Sequence, residues 1–253
     1  MGFFKSIARA IVERCIAPHD YELKEVDRPL RRPRRFLRWC ESQGFSPSTI
    51  IDVGAADGTP WLYDSFPEAN LVLVEPNDAF KERLERVLSG RGRGELHLVG
   101  AANQSGTLSF NVNEERPTSS SILQMDADYR NQLRKQGVVQ TESAKEVQVR
   151  PLDELYAESS WDAPFLLKID TEGYELAVIE GGLDTLKNCE MVIVEVSVGS
   201  RFENSYSFGQ LLSKIESQEF QVFDIVDMAQ IRSGRLASVD VVFVREGSDL
   251  LVW

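Results

Sequence analysis

The residue types most able to do chemistry in this chain fall in two short stretches. The first is Thr49-Ile-Ile-Asp-Val-Gly-Ala-Ala-Asp-Gly58, and the second is Leu71-Val-Leu-Val-Glu75. Each is an apolar run that ends in acidic or small residues, the pattern of a buried strand followed by a tight turn. Glycine at positions 54 and 58 lets the backbone bend sharply and lets a ligand approach the main chain without meeting a β-carbon. Glu75 lies 23 residues after Asp52, the spacing at which a carboxylate on a neighbouring parallel strand can accept both hydroxyls of a ribose. Asp52, Gly54, Gly58 and Glu75 therefore describe an adenosine-shaped site. A phosphate-cradling loop is not written here, because Ala56 stands where a middle glycine would be and Asp57 brings a negative charge into the turn. A pyrophosphate would be repelled, whereas an ammonium and a sulfonium would not, which favours S-adenosylmethionine over NAD or ATP.

These residues need a frame, and the rest of the chain supplies one. Thr59 and Pro60 can start a helix through about Phe66, and Ala79–Leu88 reads as an amphipathic helix with Phe80, Leu84, Val87 and Leu88 inward. Glu95–Gly100 is a third strand, ending at Ala101 and Ala102, small residues against which an adenine ring can lie flat. Phe165-Leu-Leu-Lys-Ile-Asp170 and Met191-Val-Ile-Val-Glu195 are further strands with acidic tips. Helix Ser207–Gln218 is followed by strands Phe220–Val226 and Val239–Val244, which can pair antiparallel at a sheet edge. Such alternation predicts an α/β fold with a parallel sheet and helices on both faces, its ligand at the carboxyl ends of the strands. Residues 103–151 break the alternation. They read as an antiparallel insertion with a polar helix from about Ala127 to Lys135 and a serine run, Ser119–Ser121, able to shape a substrate pocket.

With 253 residues the chain is long enough for one large domain plus an extension. Its net charge of −12 is uneven: residues 1–38 hold ten Lys/Arg and five Asp/Glu, leaving 18 against 35 in residues 39–253. This divides the chain into a basic amino-terminal extension, 1–38, and an acidic domain, 39–253, whose charge argues against nucleic acid as a partner. Residues 3–16 repeat apolar positions at helical spacing with Lys5, Arg9 and Arg14 between them. That amphipathic segment has two readings, a subunit or domain contact and a peripheral membrane contact. Without a membrane-spanning run or a signal peptide, the expected location is cytoplasmic. Cys15, Cys40 and Cys189 are too dispersed for a disulfide framework or a zinc site.

Taken together, the motifs resemble the FkbM-type S-adenosylmethionine-dependent methyltransferases. The resemblance is carried by Asp52-Val-Gly-Ala-Ala-Asp-Gly58, Val74-Glu-Pro76, Ser119–Ser121, Val149-Arg-Pro-Leu-Asp153 and Leu167-Lys-Ile-Asp-Thr-Glu-Gly-Tyr-Glu175. Ala56 departs from the asparagine usual in that family. The resemblance implies a Rossmann-like class I methyltransferase fold, a mostly parallel seven-stranded sheet with its last strand antiparallel. It also implies methyl transfer to a hydroxyl of a sugar or glycosylated small molecule. Carried over, Asp52, Gly54, Ala55, Asp57 and Gly58 would hold the methionyl end, Glu75 with Pro76 the ribose, Ala101 and Ala102 the adenine edge, and Asp170 the ammonium or the pocket beyond it.

Methyl transfer from a sulfonium is an in-line displacement, so it needs alignment and a group to take the acceptor's proton. His97 lies inside a strand pattern and reads as a structural histidine. Asp170 and Glu172 are the expected bases, acting directly or through a Mg²⁺ ion held by Asp170 and Glu195, since hard oxygen ligands suit that ion. Two other classes fit parts of the pattern: a non-catalytic adenosine-binding module and an NAD-dependent oxidoreductase.

Overall fold

The computed structural model describes residues 33–252 except 92, 139, 140, 232 and 233. The amphipathic segment expected at 3–16 lies outside the described residues. The described chain begins with helix α1 (Pro33–Ser42), which buries Phe36, Leu37 and Cys40 and exposes its arginines. The boundary drawn from charge between residues 38 and 39 falls inside this helix. Apolar positions at helical spacing override the arginines between them and tie residues 33–42 to the domain, so the whole of this helix belongs to the compact unit.

Seven strands form the main sheet: β1 (Thr49–Val53), β2 (Asn70–Val74), β3 (Glu95–His97), β7 (Phe165–Ile169), β8 (Cys189–Ser197), β9 (Phe220–Gln230) and β10 (Leu236–Arg245). Their order is β3-β2-β1-β7-β8-β10-β9. The β2–β3, β1–β2, β1–β7 and β7–β8 pairs are parallel, while β10 runs antiparallel to both β8 and β9. The last strand in the chain is thus inserted beside the edge, and β9 is the edge itself. This is the Rossmann-like class I methyltransferase arrangement.

Because side chains alternate along a strand, the sheet makes two apolar layers. Val53, Val74, Leu167, Val194 and Val241 face one side, against Leu155 of α5 (Leu152–Ala157), Val178 of α6 (Glu175–Glu180) and Ile215 of α8 (Phe208–Glu216). Ile50, Leu73, Leu166, Ile193 and Val242 face the other side, against Leu37 of α1, Leu62 of α2 (Pro60–Tyr63) and Leu84 of α3 (Lys81–Ser89). Helix α8 carries a full capping box, in which Ser207 Oγ accepts from Gln210 N and the Gln210 side chain accepts from Ser207 N.

Two elements differ from the sequence reading. Helix α2 stops at Tyr63 rather than Phe66, and Thr59 makes no side-chain cap. The third strand divides: Glu95–His97 stays beside β2, whereas β4 (Gly100–Ala101) leaves the main sheet and pairs with β6 (Glu142–Arg150). A second sheet therefore forms, ordered β4-β6-β5, with β5 (Gly106–Asn113) antiparallel to β6. Helix α4 (Ala127–Lys135), capped by Asp126, lies in the connection. Helix α7 (Leu183–Leu186) follows α6 and had no sequence signal of its own.

Candidate active site

Asp52 on β1, Lys168 on β7, Glu195 on β8 and Asp240 on β10 share the strand parity of the apolar layer formed by Ile50, Leu166, Ile193 and Val242. One step nearer the carboxyl end of the parallel strands, that face of the sheet thus changes from hydrocarbon to charge. A cavity of about 410 Å³ opens over this charged layer. It is walled by the turn from Gly54 to Trp61, by Ser119 of the insertion, and by Asp227 and Met228 of β9. A narrower cleft of about 40 Å³ runs the other way past Glu75, Pro76 and Ala101 toward Phe110 and Ile122. Gly54, Ala56, Thr118 and Asp170 belong to the walls of both.

The turn after β1 takes the conformation its glycines permit, with φ of +76° at Gly54 and +98° at Gly58. Ala56 lies at φ +45°, a region that asparagine tolerates better than alanine. Turned this way, Ala56 N donates to Glu75 Oε2 at 2.8 Å, and Asn77 N donates to Oε1 at 2.7 Å. The Glu75 carboxylate is only 4% exposed and is fixed in orientation between two backbone amides. Burial pushes its pKa up to about 7, against the pull of those two amides.

At the tip of β7, Glu175 organises the chain. Its Oε1 accepts from Thr171 N at 2.9 Å and Gly173 N at 3.0 Å, and Tyr206 donates to its other oxygen. The turn thus held puts Glu172 at φ +51° and Gly173 at +99° and aims Asp170 into the cavity. Ser121 Oγ donates to the Glu172 carbonyl at 2.6 Å, which pins the insertion to this turn.

The structure sorts the residues singled out from sequence. Gly54, Ala55, Asp57, Gly58 and Glu172 line the larger cavity, Glu75, Pro76 and Ala101 line the narrow cleft, and Asp170 lines both. Asp52 does neither. It is completely buried, accepts from Tyr63 Oη at 2.5 Å, and lies 3.6 Å from Lys168 Nζ. Since Val53 continues the strand, the Asp52 side chain points to the packed helix face and not past the strand end. Ala102 is likewise buried behind the cleft, with its carbonyl against Gly181. Asp57 is ion-paired with Arg83 at 3.0 Å. His97 contacts Glu95 at 3.2 Å and packs against Trp161, in keeping with a structural role.

Fixed cations meet the carboxylates expected to hold Mg²⁺. Arg201 Nη2 reaches Glu172 at 2.5 Å while Nη1 reaches Glu195 at 3.1 Å, and Lys168 Nζ donates to Asp170 at 3.1 Å. Among the described residues no three His, Cys, Asp or Glu side chains converge as a metal site. Burial raises the pKa of both Glu172 and Glu195. Burial also disfavours the Lys168 ammonium, yet Asp170, Asp52 and Asp240 outweigh it and hold the charge in place.

Sequence reading missed Asp240 and Arg201. Asp240 was detectable as a lone carboxylate inside the apolar run Val239–Val244. Burial and then the Asp170 carboxylate push its pKa up to about 7, with Lys168 pulling the other way. The folded state therefore keeps this proton through a window in which the unfolded chain has lost it. Its contribution favours folding at low pH and disappears as pH rises through the folded value. Asp240→Asn is thus expected to raise folding stability by about 2 kcal/mol near pH 8 and by almost nothing near pH 4. Urea denaturation at the two pH values checks this.

The family model described as the methyltransferase FkbM domain matches residues 52–222. This chain is 24% identical over 225 residues to the 2-O-methyltransferase NoeI of Sinorhizobium fredii, covering 84% of this chain and 91% of that protein. It is 29% identical over 175 residues to the hexuronic acid methyltransferase AglP of Haloferax volcanii, covering 68% of this chain and 65% of AglP. Among solved structures, a methyltransferase FkbM from Methylobacillus flagellatus is similar at 18% identity and a TM-score of 0.49, covering 79% of this chain and 44% of that one.

Proposed function

The chain belongs to the FkbM methyltransferase family, and from that premise we propose that it O-methylates a sugar hydroxyl of a glycan or glycosylated small molecule. It is an S-adenosylmethionine-dependent methyltransferase, not an oxidoreductase or a non-catalytic module. The observation that carries the site assignment is the fixed Glu75 carboxylate at the entrance to a cleft that continues into the larger cavity. In this reading Glu75 accepts the two ribose hydroxyls. Pro76 and Ala101 flank adenine, while the Gly54–Gly58 turn and Asp170 receive the methionyl end. The cleft beside Glu75 is narrow, so its outer wall at Thr118, Ser120 and Ile122 has to draw back when adenosine enters.

The acidic turn suits this ligand because its methionyl end carries an ammonium and a sulfonium. The larger cavity is the acceptor's place. Trp61 and Met228 offer apolar surface for a sugar face; the name of NoeI supports transfer to oxygen, and that of AglP, a hexuronic acid methyltransferase, supports a saccharide acceptor. When bound, S-adenosylmethionine supplies the methyl group, and the protein aligns the acceptor oxygen and excludes water. Residues 3–16 remain the proposed point of contact with a second subunit or a membrane surface. Among the described residues no helix is long and apolar enough to cross a membrane.

Calorimetric titration with S-adenosylmethionine and S-adenosylhomocysteine, with NAD as control, tests the cofactor half. Turnover of methyl glycosides of a neutral hexose, an amino hexose and a hexuronic acid tests the acceptor half. Micromolar binding of the sulfur ligands alone, with transfer to at least one glycoside, is the expected result. Turnover should persist in excess chelator, since Arg201 and Lys168 already meet the three carboxylates; loss restored by Mg²⁺ would return the ion to Asp170 and Glu195. Absence of binding to either sulfur ligand would overturn the site assignment.

A further inference from the structure

We propose that Asp240 is the catalytic group that takes the acceptor hydroxyl's proton. The inference rests on the methyl-transfer reading above and reassigns the base from Asp170 and Glu172. Each other carboxylate in the cavity wall is engaged. Asp57 pairs with Arg83, Asp170 with Lys168, and Glu172 and Glu195 share Arg201. Asp227 accepts from Met228 N at 2.8 Å. Among the described residues the Asp240 carboxylate alone in this wall accepts no hydrogen bond and makes no ion pair, though it lines the cavity.

Its position suits the role. Asp240 lies on β10 directly across from Glu195 of β8 and Asp227 of β9. Those two carboxylates face it, together with Asp170 and the Lys168 ammonium of β7. The strand order puts β7 and β8 between it and the Gly54–Gly58 turn, and the group of the proposed methionyl end that faces Asp240 is Asp170 at the tip of β7, so the acceptor oxygen has to be presented over that tip to reach both the methyl carbon and the base. Surrounded by more negative than positive charge and held above an apolar layer, its proton affinity is raised into the range of neutral solution, where a general base is most effective.

The acceptor oxygen forms its bond to the methyl carbon while the sulfur–carbon bond breaks and its electron pair stays on sulfur. The sulfonium becomes a neutral thioether, and the hydroxyl proton passes to an oxygen of Asp240. An unengaged carboxylate can do this without first giving up a cation. Protonating Asp170 or Glu172 would weaken its ion pair with Lys168 or Arg201.

The test compares wild type, Asp240→Asn and Asp240→Glu with the glycoside that wild type methylates fastest. Asn is nearly isosteric and removes a buried charge, so the variant folds, and urea denaturation confirms it. With Asp240→Asn, kcat should fall about 100- to 1000-fold, whereas affinity for S-adenosylhomocysteine and KM for the glycoside should change less than about threefold. With S-adenosylmethionine saturating at every pH, so that protonation of Glu75 does not enter, the wild-type profile of kcat/KM for the glycoside should rise with pH on a limb near 7, and that limb should vanish in Asp240→Asn and return in Asp240→Glu. An Asp240→Asn enzyme within about fivefold of wild type, or one that keeps the limb, overturns the assignment while leaving methyl transfer intact. A wild-type protein that methylates none of the glycosides overturns it together with the acceptor reading beneath it.

Discussion

Glu75→Ala is expected to weaken S-adenosylhomocysteine binding by about 3–6 kcal/mol, which takes a micromolar ligand beyond calorimetric detection. Two bonds from ribose hydroxyls to an ionised carboxylate are lost, each worth about 1.5–3 kcal/mol. That range counts the two contacts alone and is a lower bound, because Ala56 N and Asn77 N also lose their acceptor. The turn that presents the methionyl half of the site is then free to relax. Binding should depend on pH in the wild type for the same reason. With the free-state pKa of Glu75 pushed up to about 7, the carboxyl is protonated at lower pH and can no longer accept both hydroxyls. Affinity should therefore fall as pH drops below that value. Unchanged binding by Glu75→Ala would mean that the narrow cleft is not the adenosine site.

Gly54→Ala should lower folding stability by about 4 kcal/mol, enough to unfold a marginal domain. An added Cβ would stand 1.9 Å from the Asp170 carbonyl oxygen and 2.8 Å from its carbon. The obstructing atoms are backbone just past the end of β7, β1's neighbour, and cannot rotate away. Alanine would also carry the strain of a φ near +76°. Gly58→Ala shares the unfavourable φ but meets only side-chain atoms beyond 3.5 Å, so it should cost about 1–2 kcal/mol. Denaturant midpoints of the two variants separate steric contact from backbone conformation. Similar losses would show that the β1–β7 approach is looser than these distances describe.

The parts of the site visible in sequence are those written locally. Gly54, Gly58 and Glu75 follow apolar strand runs within a few residues, and α4 begins after Asp126 as its polar pattern predicts. Asp52 was misplaced because a carboxylate near a strand end looks like a ligand until the parity of the strand is fixed. Only pairing against Lys168 and the approach of Tyr63 show which way it points. The proposed Mg²⁺ site failed to anticipate Arg201, which lies 29 residues beyond Glu172 in an irregular segment with no pattern of its own. Its guanidinium bridges two strand tips only after the sheet has formed. The division of the third strand was hidden for a similar reason, since the partner that draws off Gly100–Ala101 is β6, Glu142–Arg150.

The placement of β10 has a consequence for how the protein is made. Strand β9 leaves the ribosome first, yet its pairing partner in the main sheet is β10, and β10 must enter between it and β8. Strands β1 to β7 are already encoded when residue 169 has been added. The wall bearing Asp227 and Asp240 cannot close until synthesis reaches Arg245. A nascent chain stalled between those points carries β1 to β7 without the wall proposed for the acceptor, so a product terminated in this interval is expected to lack methyl transfer.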